Sequence, residues 1–257
     1  MTLSEASYAF SGMVKREFWR FLQQRSRFIS ALVRPLLWLL VFAAGFRAAL
    51  GIAIAPPYET YITYEVYIIP GLVGIILLFN GMQSSLSMVY DREMGSMKVL
   101  LTSPLPRPFL LLSKLVASSL ISLLQVYGFV AIAACFKITL PFEGYLWLLP
   151  SAFLAAILLS ALGLLLSSLI RQLENFAGVM NFVVFPMFFL SSALYPLWRM
   201  RESSEILYYV CQINPFTHAV ELIRFSLYGS LNYLALGVTL ATTAVVLVAA
   251  IVAYESR

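Results

Sequence analysis

The chain has 257 residues, of which 61% are hydrophobic and 11% charged, and its mean hydropathy is +0.88. Soluble domains carry roughly 25% charged residues, so this composition excludes a soluble enzyme or a soluble binding domain. The formal net charge of +5 does not require a nucleic-acid partner, because the basic residues follow a membrane topology, as described below. The composition predicts an all-α integral membrane protein.

Six apolar stretches are long enough to cross a bilayer, which takes about 20 mostly apolar residues. They are residues 29–50, 64–87, 111–135, 145–168, 176–195 and 232–254. We predict a transmembrane helix in each. The six spans fill more than half of the chain, so we predict one transmembrane domain over 1–257 and no separate soluble catalytic domain.

The segment that precedes the first span is amphipathic. Its larger apolar side chains fall near one helical face, with basic residues on the other. These apolar residues are Phe10, Val14, Phe18, Phe21, Leu22 and Ile29. We predict an interfacial helix over 8–28, lying in the headgroup plane, with a simple basic flank as the alternative. The segment has no small-residue cleavage site, so we expect it to stay attached.

The basic residues orient the spans, because Lys and Arg are retained on the cytoplasmic side. With the N-terminus inside, twelve of the 17 Lys and Arg residues fall on that side. The remaining five are Arg47, Lys137, Arg199, Arg201 and Arg224. This distribution predicts that both termini are cytoplasmic.

Two outer features follow from this topology. Tyr58, Tyr61 and Tyr64 surround the first outer connection, and we expect them to anchor the chain at the membrane interface. Cys135 and Cys211 both fall near the outer face. We expect unpaired thiols, with a disulfide as the alternative.

Residues 196–231 form a long outer segment, too broken to span and too apolar to be fully solvated. Asn214-Pro215 predicts two short helices that meet there, because proline restricts the residue before it and suits a helix start. We expect a re-entrant element that dips into the outer leaflet and is protected by neighbouring spans.

The connection between the second and third spans contains acids, bases and three prolines. Tyr90, Met94, Met97 and Leu101 fall on one face of a helix predicted over 90–103. Asp91 and Glu93 would lie at its start and Lys98 near its end, which suits the helix dipole. Pro104, Pro106 and Pro108 would end it and stiffen the path into the third span. A short, rigid amphipathic helix of this kind predicts a binding site for it on another protein. The alternative is a helix that lies on the lipid surface.

Polar uncharged residues form helical stripes. They are Asn80, Gln83, Ser84 and Ser87 on the second span, Ser118, Ser122 and Gln125 on the third, and Asn175, Gly178, Asn181 and Phe185 on the fifth. Helix packing is the preferred interpretation for the third span. For the second and fifth spans, packing and a substrate-facing surface remain equal alternatives.

No motif of nucleotide, metal or hydrolase chemistry occurs. The sequence lacks a GxxxxGK[ST] phosphate loop, HExxH, a CxxC cluster and GxSxG. His218 is the only histidine, and we expect it to make a structural hydrogen bond. The middle of the six spans is nearly free of ionisable residues, which argues against ion-coupled transport and for an external energy source.

Together the six spans, the interfacial helix, "REMGSMKVLLTSPLPRPFLLLSK" and "NPFTHAVELIR" resemble the ABC-2 type permeases, over essentially the whole chain. These are membrane subunits of ABC exporters, including drug-resistance and nodulation-factor branches. The resemblance implies a type V exporter fold: six spans, an interfacial helix, a cytoplasmic coupling helix and outer re-entrant helices. It also implies a bacterial cytoplasmic (inner) membrane.

The resemblance assigns residues by position. Arg92, Glu93, Met94, Gly95, Ser96, Met97 and Lys98 would contact a separate nucleotide-binding subunit. Asn80, Gln83, Asn181 and Phe185 would line the translocation path, and Asn214, Pro215 and Arg224 match the outer re-entrant element. Two ATPase copies carrying ATP and Mg, a second permease copy and membrane lipid are the implied partners. The chain itself would hold no cofactor and no metal.

Two other function classes stay open. A channel or secondary carrier predicts intramembrane charge or a repeated half. A lipid-acting membrane enzyme would need a polar cluster near one interface, for which Glu202, Glu205, His218 and Glu221 are the candidates. The substrate would be amphiphilic: a drug, a lipid or a glycolipid.

Overall fold

The computed structural model describes residues 3–23, 25–46, 56–58, 62–94, 106–136, 138, 140–170 and 172–255. Its regular structure in these ranges consists of ten α-helices. They are α1 (Leu3–Gln23), α2 (Arg25–Phe46), α3 (Tyr64–Glu93), α4 (Arg107–Cys135), α5 (Phe142–Leu169), α6 (Leu173–Phe189), α7 (Leu197–Ser203), α8 (Glu205–Ile213), α9 (Pro215–Ser226) and α10 (Tyr233–Glu255).

Four helices in the described ranges are long and apolar enough to cross a membrane. They are α3, α4, α5 and residues Tyr233–Tyr254 of α10. Two further apolar helical stretches, Leu32–Phe42 within α2 and Leu173–Phe189, are shorter. The chain is therefore a multi-pass membrane protein.

Helix α3 lies at the centre of the bundle. It packs against α2, α4, α5, α6 and α9, and α5 also contacts α10. A glycine sets the crossing of α3 and α5: a Cβ atom added at Gly81 would lie 2.8 Å from the backbone of Leu159. Small residues serve this purpose in membranes, where close backbone approach supplies the packing energy.

The fifth apolar helix is shorter than predicted. Helix α6 ends at Phe189, and residues 190–195, of which 191–194 are buried, form turns and bends where the sequence predicts a span over 176–195. Asn214 explains this end, since its Nδ2 donates to the carbonyls of Met187 and Leu190 at 2.8 and 2.6 Å. These are among the last carbonyls of the helix, which lack partners within it.

The N-terminal region contains two helices, α1 and α2, on either side of residue 24. The predicted apolar face of α1 is divided. Phe21 is buried, whereas Phe18 and Leu22 are exposed, and α1 packs against α4. The part of the apolar face of α1 that packs against α4 is therefore not available for contact with lipid.

The predicted boundary at residue 90 is wrong. Residues 90–93 are the last residues of α3, so Asp91 and Glu93 lie at the C-terminal end of a 30-residue helix and not at the start of a new one. Residues 95–103 of the predicted coupling helix lie outside the described residues. We call this end of the bundle the Glu93 end, and the opposite end, where α3 begins at Tyr64, the Arg224 end.

Candidate functional site

Arg224 of α9 is the buried cation of the Arg224 end, with 1% of its surface exposed. Its Nη1 donates to the Tyr67 carbonyl and Nη2 to the Ser192 carbonyl, both at 2.8 Å. Nε donates to Glu221 Oε1 at 3.2 Å, and the guanidinium lies 3.8 Å from the centroid of the Tyr67 ring. One side chain thus joins α9, α3 and the connection between α6 and α7.

Tyrosines complete this cluster. Tyr58 Oη accepts a hydrogen bond from Arg224 Nη1 at 3.2 Å, and burial raises the pKa of the Tyr58 phenol, which keeps it neutral. Tyr64 and Tyr67 donate their hydroxyls to the carbonyls of Leu194 and Ser192, each at 3.0 Å. The expected role of Tyr58 and Tyr64 as interface anchors is therefore wrong, because both are buried. Tyr61 lies outside the described residues.

Asn214 and Pro215 form the start of α9, between the two predicted short helices, α8 and α9. The Asn214 side chain accepts from the Phe216 amide at 3.0 Å and caps the helix, and Pro215 occupies its first position. Because Asn214 also donates to the end of α6, the three residues assigned to the outer element all hold α9 in place: Asn214 against α6, Pro215 at the helix start and Arg224 against α3.

At the Glu93 end, Asp91 is a buried carboxylate surrounded by three cations. Arg20 Nη2 lies 3.3 Å from Oδ1, while Arg16 Nη2 and Lys114 Nζ lie 3.5 and 3.8 Å from Oδ2. Arg16 and Arg20 belong to α1 and Lys114 to α4. Sequence reasoning missed this cluster. Its one signal was Lys114, a cation inside an otherwise apolar stretch, which is costly without a partner.

Arg92 and Glu93 contact the connection between α5 and α6. An Arg92 Nη2 group donates to the Ser167 carbonyl at 3.0 Å, and Glu93 Oε1 accepts from the Leu173 amide at 3.0 Å. Met94 is exposed. Of the residues assigned to ATPase contact, Gly95, Ser96, Met97 and Lys98 lie outside the described residues.

A polar cavity of about 40 Å³ lies between α1, α3 and α4, with room for a few water molecules. Its lining joins two of the predicted stripes with α1: Asn80, Ser84 and Ser87 from α3, Ser118, Ser122 and Gln125 from α4, and Glu17 and Arg20 from α1. Asn80 Nδ2 donates to Gln125 Oε1 across it. The stripes of the second and third spans therefore face each other.

The stripe of the fifth span faces outward. Asn175, Gly178, Asn181 and Phe185 are all exposed, while Phe176, Val184 and Phe188 form the buried side of α6. Asn80 in the cavity and Asn181 with Phe185 thus lie on different surfaces of the chain, and Gln83 is half-buried. A single chain does not assemble the predicted path residues at one site.

The remaining candidates have structural surroundings. His218 Nε2 donates to the Gln212 carbonyl at 2.8 Å, which agrees with the expected hydrogen-bonding role. Cys135 is an exposed and Cys211 a buried free thiol. Within the described ranges, no three His, Cys, Asp or Glu residues are grouped so that they could hold a metal ion.

Comparison with known proteins connects this architecture to transporters. The model of the family described as ABC-2 type transporter matches residues 8–228. A putative transport permease, ycf38, of Cyanophora paradoxa is 30% identical over 86% of this chain and 74% of its own length. The protein of the same name in Pyropia yezoensis is 28% identical over 80% and 68%.

A bacterial relative is more distant. The probable multidrug ABC transporter permease YbhR of Escherichia coli K12 is 29% identical over 65% of this chain and 45% of its own length. The family match covers most of the chain, and the apolar helices fit a membrane-embedded transport subunit. The chain therefore belongs to the ABC-2 type transporter family.

Proposed function

We propose that this chain is the permease subunit of an ATP-driven exporter, with six membrane spans, in the cytoplasmic membrane of a bacterium. The observation that carries the proposal is the family match over residues 8–228. In this orientation the Glu93 end and both termini lie in the cytoplasm, and the Arg224 end faces outward. The excess of Lys and Arg in the predicted inner connections supports the orientation.

The energy source in this proposal is a separate ATPase that binds ATP and Mg, since this sequence has no phosphate loop. Two ATPase copies would serve two permease copies. The connection between α3 and α4 would meet the ATPase through Met94, Gly95, Ser96, Met97 and Lys98. Closure of the ATPase pair would then displace this connection and drive alternating access.

The translocation path in this proposal lies between the two permease copies. The outward face of α6, with Asn181 and Phe185, supports this location, because a polar and aromatic face that is exposed on one chain is available to a second copy. Asn80 and Gln83 of α3 would join the path only in a state of the transport cycle that brings the two surfaces together, since Asn80 lines the separate cavity between α1, α3 and α4. Amide and aromatic side chains suit an amphiphilic substrate such as a drug, a lipid or a glycolipid.

Affinity purification from the native membrane tests the proposal. The tagged chain is extracted in mild detergent, bound proteins are identified, and ATP hydrolysis is measured. We expect a nucleotide-binding subunit to co-purify, and to be lost on substituting Met97 and Lys98 with alanine. The matched control is Arg201→Ala at the opposite end, which should retain it. A chain that purifies alone and without ATPase activity contradicts the proposal and directs attention to an ATP-independent channel or carrier.

A further inference from the structure

The last residues of α3 contact four other helices. Successive residues of an α-helix point about 100° apart, so three residues in a row address three directions. Asp91 contacts α1 and α4 through its three cations. Arg92 and Glu93 contact the end of α5 and the start of α6. This junction lies directly before the connection that leads to α4.

The charges of Arg92 and Glu93 match the helix ends that they contact. Ser167 lies in the last turn of α5, which ends at Leu169, and its carbonyl is one of those that a helix leaves unbonded. The C-terminal end of a helix carries partial negative charge, so a guanidinium stabilises it. Leu173 is the first residue of α6, where an unbonded amide and partial positive charge favour a carboxylate.

The bonds of Arg92 and Glu93 join the end of α3 directly to the end of α5 and the start of α6. Only residues 170–172 separate α5 from α6, so the two bonds hold the helix ends on both sides of a short connection. Glu93 is exposed, and its bond to the Leu173 amide is correspondingly weak compared with the buried contacts of the bundle. Losing it would leave the fold and the packing of α3 against α6 intact, and would remove the bond that joins the last turn of α3 to the first residue of α6.

We propose that Arg92 and Glu93 are positioning residues that carry displacement of the 94–106 connection to α6, and that they do not serve primarily as ATPase contacts. The inference rests on the proposed function, because it needs an ATPase that moves the connection. It divides the residues assigned to ATPase contact into two groups. Arg92 and Glu93 bind their own chain, and Met94 to Lys98 remain for the partner.

Site-specific labels test this transmission in the complex with its co-purified ATPase, reconstituted in lipid nanodiscs. A spin label is attached at Ala177→Cys, an exposed position of α6, in a Cys135→Ser background; Cys211 is buried. A second preparation carries the label at Leu120→Cys, exposed on α4, which is joined covalently to the 94–106 connection. The change in spectrum on adding ATP and vanadate is measured for both.

Glu93→Ala should reduce the nucleotide-induced change at Ala177 by about two- to fivefold, the factor that corresponds to one exposed charged contact, and leave the change at Leu120 as it was. Glu93→Gln keeps the acceptor oxygen and should restore the response at Ala177. Arg92→Ala should also reduce the nucleotide-induced change at Ala177. Glu174→Ala is the matched control, because it removes the same charge from the exposed first turn of α6.

The outcomes separate the two proposals. An unchanged Ala177 response in Glu93→Ala and Arg92→Ala overturns the transmission role while the exporter stands. Equal losses at Ala177 and Leu120 also overturn it, since they place Glu93 at the ATPase contact. If neither label of the parent complex responds to nucleotide, the proposed function fails, and this inference fails with it.

Discussion

At the Arg224 end of α3, the linking side chains are buried and bond mostly to backbone carbonyls, whereas at the Glu93 end they are charged and several reach the surface. Arg224, Tyr64 and Tyr67 are each at most 3% exposed. At the other end, Glu93 is exposed and the Arg16 side chain is 41% exposed. Both ends fasten α3 to several helices, but in different surroundings.

This difference in burial indicates which end of α3 is held more firmly. A buried carbonyl that loses its donor has no water to replace it, so breaking the Arg224 contacts is costly. Charged groups at the surface exchange a protein partner for water at little cost. We therefore expect the Arg224 end to be the fixed end of α3 and the Glu93 end, where Glu93 and Arg16 reach the surface, to be the adjustable one.

Removing the buried cation should have the largest effect. Arg224→Met leaves the Tyr67 and Ser192 carbonyls without the guanidinium and Glu221 without its partner. We expect a loss of about 3 kcal/mol in unfolding free energy, measured by denaturation in nanodiscs. Arg201→Met on exposed α7 is the control and should change it by less than about 0.5 kcal/mol. A similarly small change in Arg224→Met would contradict the fixed end.

Substituting Gly71, which lies close to the backbone of Ala193 beside this cluster, should give the next largest loss of unfolding free energy. A Cβ atom at Gly71 would lie 2.2 Å from the Ala193 carbonyl oxygen, which is backbone and cannot turn aside. We expect Gly71→Ala to lower the unfolding free energy by about 2 kcal/mol. Gly178→Ala has nothing within 4 Å of the added atom and serves as the control. Equal stability of the two variants would show that residues 190–195 yield easily.

Neutralising Asp91, at the centre of the Glu93 end, should lower the unfolding free energy by a smaller amount, and that amount should depend on salt. Asp91→Asn leaves Arg16, Arg20 and Lys114 close together without their shared counter-charge. We expect a loss of about 1 kcal/mol at low salt, because Arg16 and Arg20 are partly exposed and can turn to water, and a smaller loss at high salt. Unfolding at two salt concentrations measures this, with Glu202→Gln as control. A salt-independent loss would mean that Asp91 is held like Arg224.

Deleting a single hydroxyl should have the smallest effect. Tyr64→Phe removes the bond to the Leu194 carbonyl and keeps the ring in place. Hydrogen bonds of this kind in membrane proteins are worth about 0.6 kcal/mol. The same denaturation assay should show a loss of that size, and Tyr233→Phe, on an exposed tyrosine, should show none. A loss as large as that of Arg224→Met would place Tyr64 at the centre of the cluster.

Helical periodicity correctly predicted which residues share a face, but not what that face meets. The stripes around Asn80 and around Ser122 are both real, and they face each other across one cavity. The stripe around Asn181 instead faces outward. A period of 3.6 residues fixes the angle around one helix axis, and the rotation of one helix relative to another depends on packing.

Charge position was predicted less well than periodicity. The helix-dipole rule places Asp91 and Glu93 at the start of a helix, whereas they end α3 and contact other helices. The sequence likewise predicts that Tyr58 and Tyr64 anchor the chain at the membrane interface, whereas they are buried in the cluster around Arg224. In each case the sequence showed a plausible local partner, and the actual partners lie in other parts of the chain, at separations from 23 positions for Asp91 and Lys114 to 166 for Tyr58 and Arg224.

The sequence by itself determined the membrane location, the helical class and the family, because apolar length and local motifs are properties of contiguous residues. It also determined the break at Asn214-Pro215, where backbone chemistry acts within a few positions. Only the tertiary structure decided that Asp91, Arg92 and Glu93 join α3 to four helices and that Arg224 joins α9 to α3. Those contacts connect residues far apart in the chain, and no local rule of propensity or charge specifies which helix ends meet.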